Sequence, residues 1–231
     1  MARMDPEARR ARISDAARAV VLRQGLARTT VRDIAAEMGT SPGLVHHYVG
    51  SMDELLSEVF EAVAREGIEG TRAAMRSAGS PARQLRAFLA TALRPGHGSS
   101  FQLWLDAWAE ASRRPDLGAT SRRLNIEWQQ ILAEVIEEGV STGDFSCADP
   151  DGTAWRIMSL LDGLVLQLVA HDVAIGRDEV RSWVAGFAEH ELSLEPGTLE
   201  ATDEEPPSPS RLHVAPSSHR PTASTKNEAV S

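Results

Sequence analysis

The 231-residue chain is 42% hydrophobic and 25% charged, ordinary proportions for a soluble protein, and long enough for one sizeable core or two modest ones. No stretch approaches the roughly 18 uninterrupted apolar residues of a spanning helix, the charged N-terminus lacks a signal peptide's apolar core, and a single cysteine, Cys147, excludes an intramolecular disulfide or multi-cysteine zinc site. These features predict a cytoplasmic protein with no membrane partner, and the net charge of −9 taken alone argues against nucleic acid.

Almost everything before residue 195 reads as helix. Asp5-Pro6 supplies an N-cap and a first-position proline, Ile13, Ala16, Ala17, Val20 and Val21 form one apolar face, and Gly25 ends the segment. Thr30-Val31-Arg32-Asp33 reads as a capping box opening a second helix. Its Val31, Ile34, Ala35 and Met38 recur at helical spacing before Gly39 stops it. Gly39-Thr40-Ser41-Pro42-Gly43 matches the G-x-S-x-G of a hydrolase nucleophile elbow, yet no strand precedes it. The residue after the serine is Pro42, which has no N–H for an oxyanion hole. The pentapeptide is instead a turn, with Ser41 as N-cap and Pro42 opening a third helix that runs to about Tyr48.

Ser51-Met52-Asp53-Glu54 reads as another capping box, and Leu55, Val59, Phe60 and Val63 carry a long fourth helix. Pro81, Pro95, Pro115 and Pro150 punctuate the chain beyond it, and five further helices are predicted near 81–94, 99–113, 116–140, 150–172 and 177–193. Strand patterns are missing. From Glu195 the chain holds half of its twelve prolines amid Ser, Thr and Glu, which predicts a disordered tail over 195–231.

The second and third helices, joined by a glycine-containing turn, form a helix-turn-helix. The second helix of that motif enters the major groove, and its first residues meet base edges. Here those are Leu44, His46 and His47, with Thr40 and Ser41 at the cap. Charge distribution agrees: residues 1–50 carry +3 and the rest −12, a basic head on an acidic body.

The run IAAEMGTSPGLVHHYVGSMDELLSEVF, preceded by one helix and TTVRD, resembles the DNA-binding domain of TetR-family repressors over about residues 8–63. The resemblance implies that Thr30 caps the second helix and contacts a phosphate. It puts Arg32 on a guanine edge, Leu44 and His47 on bases, His46 and Tyr48 on the backbone, and turns Val45 and Val49 inward. His46 and His47 read equally as ordinary surface histidines. A metal pair is disfavoured, because adjacent helical residues point in different directions. Where many members carry phosphate-gripping lysines this chain has Gly50 and Met52, so that work falls to Arg3, Arg9, Arg10 or Arg12 near the N-terminus, and to Arg28.

Residues 80–194 resemble, less specifically, the ligand domain of the BetI-like branch, through LWLDAWAEASRRPDL, LNIEWQQIL and SLLDGLVLQLV. The implied architecture is all-α: a three-helix DNA-binding domain over 1–50, a helical ligand-binding and dimerisation domain over 51–194, then the tail. Trp155 to Val169 is apolar nearly all round (Met158, Leu160, Leu161, Leu164, Val165, Leu168), and Gly163 allows close helix approach. Val180, Trp183, Val184, Phe187 and Ala188 form a stripe on the last helix. The resemblance implies a homodimer through these two helices; the residues alone allow a monomer core.

Trp104 and Trp108 share one face, with Glu110 nearby and Asn125 and Trp128 on the next helix, a candidate ligand site. Aromatic faces beside a carboxylate suit an organic cation, though tryptophans at this spacing also serve ordinary core packing. Asp162, within the most apolar helix, is either a pocket group or a residue at the wet edge of an interface.

The combined reading is a ligand-responsive transcriptional regulator, a repressor released from a palindromic double-stranded operator by a small-molecule effector. A helical enzyme is the first alternative. The chain offers no glycine-rich phosphate loop, His-Glu-x-x-His or paired cysteine ligands, so no catalytic, metal or cofactor residue is assigned. A purely structural helical module is the second, and would not explain the arginine-biased head.

Overall fold

The computed structural model describes residues 5–94, 98–171 and 175–200. These form nine helices and no strand: α1 (Pro6–Gln24), α2 (Val31–Glu37), α3 (Pro42–Tyr48), α4 (Met52–Ala78), α5 (Pro81–Ala92), α6 (Gly98–Glu110), α7 (Pro115–Thr142), α8 (Pro150–Ala170) and α9 (Arg177–Leu192).

The first three helices close on the apolar face predicted for α1. Ile13, Ala16, Ala17, Val20 and Val21 are buried against Ile34, Ala35 and Val45 in one core. The Thr30 capping box is present in both directions, and Gly39 takes the left-handed conformation (φ +63°) that ends α2. Ser41 departs from expectation. It occupies the N-cap position of α3 in extended conformation, but its side chain makes no capping bond. Thr30→Ala is accordingly expected to cost about 1 kcal/mol of stability, and Ser41→Ala less than about 0.5 kcal/mol. Paired denaturant melts check the contrast.

Helix α4 belongs to head and body alike. Its first turns bury Leu55, Leu56, Val59 and Phe60, and Ile68 and Met75 continue the same core toward α5 and α7. The Ser51 hydroxyl accepts from the Glu54 N–H at 2.9 Å. Asp53, one turn beyond α3, accepts from the backbone N–H groups of Asp116 (3.0 Å) and Leu117 (3.4 Å), capping α7. A helix start carries unsatisfied donors and partial positive charge, so a carboxylate there ties α4 to the body.

The stripe expected on α9 divides. Val180, Val184 and Ala188 face the core, while Trp183 stays 49% exposed and Phe187 is partly buried. On α8, Met158, Leu161 and Val165 are buried, whereas Leu160, Leu164 and Leu168 are only partly so. By length and composition α8 could cross a membrane; here it packs against α6, α7 and α9.

The expected disorder from Glu195 also needs revision. Residues 195–200 fold back, because the buried carboxylate of Glu189 accepts from the N–H groups of Gly197 (3.0 Å) and Leu199 (2.6 Å). Arg86 donates to the Thr198 carbonyl at 2.5 Å, and Leu199 is buried. Residues 201–231 lie outside the described residues.

Candidate functional site

The helix-turn-helix presents one surface. Arg32, Ser41, His46 and His47 are exposed, and Thr40 and Leu44 are partly so. Val45 is fully buried and Val49 packs partly against the core, so the outward side of α3 is set by its inward anchors. The Thr30 hydroxyl donates to Asp33 Oδ2 (2.6 Å) and accepts from the Asp33 N–H (3.3 Å). That hydroxyl hydrogen is thus engaged within the cap in the free protein. The same bond, reinforced by the Thr30 N–H, holds the Asp33 carboxyl below the usual carboxylate range.

Tyr48 sits at the junction of α3 with α1. His47 meets its ring edge-on, with centroids 4.9 Å apart, and the Arg9 guanidinium lies over it at 5.7 Å. Arg10 donates to the Tyr48 carbonyl (3.5 Å) and pairs with Glu58. Two of the arginines expected to grip phosphate therefore brace α3 against α1 and α4. Arg12 and Arg28 are exposed, and Arg3 lies outside the described residues.

The second site is a cavity of about 450 Å³ in the body. Trp104, Trp108, Asn125 and Trp128, proposed from sequence as one group, all line it. Phe101 and Trp108 meet edge-on at 5.9 Å, Trp104 and Trp108 lie 5.9 Å apart, and Phe88 meets Trp128 at 5.8 Å. Trp104 also packs edge-on against buried Phe60 of α4 at 4.9 Å. The rings thus form the wall of a cavity, with Trp108 still 36% exposed.

The carboxylate is not the one expected. Glu110 turns away and pairs with Arg113 and Arg114, each at 3.4 Å. Asp162 of α8 lines the cavity instead, and burial pushes its carboxyl up to about 6. Among the described residues no neighbouring charge contributes to that shift, so a negative charge there awaits compensation. Sequence reasoning also missed Arg18 and Leu22, which line the same cavity from α1 of the head. Arg18 pairs through two bonds with Glu66 of α4, another lining residue, one at 2.7 Å.

A helix-turn-helix joined through a shared long helix to a body holding an aromatic cavity defines a ligand-responsive DNA-binding regulator. The chain matches the tetR family of bacterial regulatory proteins over residues 13–59, and the C-terminal domain of BetI-type transcriptional repressors over 81–193. It is 32% identical over 169 residues to the HTH-type transcriptional regulator BetI of Paraburkholderia xenovorans strain LB400, covering 70% of this chain and 82% of that protein. This protein belongs to the TetR family of transcriptional regulators, with a BetI-type C-terminal domain. Among solved structures it resembles a transcriptional regulator from Saccharomonospora viridis in complex with choline. The TM-score is 0.72 at 27% identity, covering 81% of this chain and 98% of that one. A regulator from Pseudomonas aeruginosa PAO1 superposes with TM-score 0.67 at 25% identity, covering 81% and 92%.

Proposed function

We propose that this protein is a homodimeric repressor, with a DNA-binding head over residues 1–50 and a ligand-binding and dimerisation body over 51–194, that leaves a two-half-site operator when an organic cation of the quaternary ammonium class fills the cavity. The observation that carries the ligand class is a desolvated carboxylate without a charged partner among the described residues, Asp162, in the same cavity as Trp104, Trp108 and Trp128. A quaternary ammonium group has no N–H to donate, so ring faces and an unpaired carboxylate are what recognise it. Each ring face contributes about 0.5–2 kcal/mol depending on desolvation. The choline held by the Saccharomonospora viridis regulator supports this reading.

Choline titration followed by intrinsic tryptophan fluorescence tests it. A cation binds the ionised form of Asp162, whose carboxyl titrates near pH 6. Affinity should therefore be constant above that pH and fall about tenfold per unit below it, since each pKa unit corresponds to about 1.4 kcal/mol. Equal binding of 3,3-dimethylbutanol, the uncharged isostere, would show that only apolar volume is read.

On the DNA side, Arg32, Leu44 and His47 reach base edges, and Thr40, Ser41, His46 and Tyr48 position the helix on the backbone. Arg32→Ala and His47→Ala should each weaken operator binding by about 1–3 kcal/mol and relax preference at one base position. Thr30 serves as the cap that fixes α2, and its alanine variant should lose affinity only in proportion to lost stability. Binding-site selection with each variant checks the assignments. Wild-type selectivity in both Arg32→Ala and His47→Ala overturns them.

A further inference from the structure

We propose that Asp106 is the positioning residue through which an occupied cavity acts on the helix-turn-helix. The proposal rests on reading the cavity as the effector site. Phe101, Trp104 and Trp108 of α6 line that cavity, and Asp106 of the same helix reaches into the head. Its Oδ2 accepts from the backbone N–H of Leu26 at 3.0 Å, while its Oδ1 accepts from Gln102 Nε2 at 3.0 Å, which orients the carboxylate.

The point of contact is the turn that joins α1 to α2. Gly25 has φ +86°, and a Cβ there would collide with Asp106 Oδ2, so the carboxylate lies flush on the backbone. Leu26 is fully buried, and the Thr29 hydroxyl closes the turn by donating to the Gly25 carbonyl at 2.7 Å. The turn is therefore short, braced and followed directly by the helix-turn-helix. A hydrogen bond of this kind tolerates only a few tenths of an ångström before it weakens. Displacement of α6 by a ligand wedged against Trp104 and Trp108 must either drag the turn or break the bond. Both outcomes change how α2 and α3 are held, by a route that does not pass along α4.

A filled cavity can be built without knowing the effector. Gly67 lines the cavity, and a Cβ there would meet only Trp128, at an ordinary 3.8 Å, so Gly67→Leu places a side chain inside it. The experiment compares full-length wild type, Gly67→Leu, Asp106→Ala and the double variant. It reads affinity for a duplex selected from random DNA by the wild-type protein, and amide exchange over residues 25–29. Gly67→Leu should weaken operator binding at least tenfold and speed Leu26 exchange. In the Asp106→Ala background the same leucine should change affinity less than twofold. Asp106→Asn, which keeps an acceptor for Leu26, should restore the response.

Should Gly67→Leu fail to fold, Ala92→Phe fills the same cavity. A leucine effect of full size without Asp106, or Leu26 exchange indifferent to the leucine, overturns the proposal. The choline titration fails separately: a protein that ignores choline yet obeys the leucine refutes the cation reading and supports the role of Asp106.

Discussion

Asp162→Asn is expected to weaken choline binding about a hundredfold while raising the melting temperature at neutral pH. The first effect follows from losing the charge that faces the ligand, as a desolvated charge pair contributes a few kcal/mol. The second follows from linkage. Burial raises the folded-state carboxyl from 3.8 to about 6, so the folded state holds its proton more tightly than the unfolded one. Stability is then full below pH 3.8 and is lost as pH rises toward 6, beyond which the loss is constant. The amide carries no such penalty and should recover roughly 1–3 kcal/mol at pH 7. Melts of both proteins at pH 4, 5, 6 and 7.5 should show the difference growing from near zero to a plateau. An asparagine variant that melts lower at pH 7.5, or that binds choline like wild type, would remove Asp162 from the ligand site.

The local devices of the head were legible because each is written within a few residues. The Ile13-to-Val21 face, the Thr30–Asp33 box and the Gly39 stop all formed where spacing put them. Ser41 shows the limit of that approach: its residue type and the following proline set the N-cap position, while the rotamer that would make the bond is not encoded there. Glu110 was misplaced by adjacency in sequence. It lies two positions after Trp108, and residues at i and i+2 do not share a helix face.

Contacts between distant segments were legible only through composition. Trp104 and Trp108 announce a common face at four-residue spacing. Nothing local says that Asp162 of α8 and Arg18 of α1 meet the same cavity, because that depends on how six helices cross. A lone acid in an apolar helix was the available signal for Asp162. Arg18 gave none, as its pairing with Glu66 looks in sequence like two ordinary surface charges. On α9 the offset of one position between Val180-Val184-Ala188 and Trp183-Phe187 rotates the second set by about 100°. One apolar stripe thereby becomes an inner and an outer face. Leu199 was hidden by averaging, since one buried leucine does not change the composition of a Pro- and Ser-rich stretch.

If the protein is the proposed homodimer, Gly163→Arg should convert it to a folded monomer and lower operator affinity by two orders of magnitude or more. Gly163 is exposed on α8, and a Cβ there would meet nothing within 4 Å among the described residues. The substitution therefore leaves the protomer core alone, and replacing a mid-helix glycine adds up to about 1 kcal/mol of helix propensity. Around it lie the partly buried Leu160 and Leu164 of α8, with Trp155 at 36% exposure. Trp183 and Phe187 extend an apolar surface from α9. A second copy on that surface would cover the rings and bring a helix close to Gly163, where a guanidinium would be buried without a partner. The effect on DNA comes from geometry. Two heads held about 34–36 Å apart engage both half-sites, and the second contact is then intramolecular, which multiplies affinity by about 10²–10⁴. A monomer keeps each base contact and loses that factor. Sedimentation equilibrium, a thermal melt and an operator titration on the same preparation decide the matter, with Gly163→Ala as the control that should remain dimeric. A dimeric Gly163→Arg protein would move the interface elsewhere, and a monomer that binds the full operator as tightly as wild type would sink the two-head mechanism.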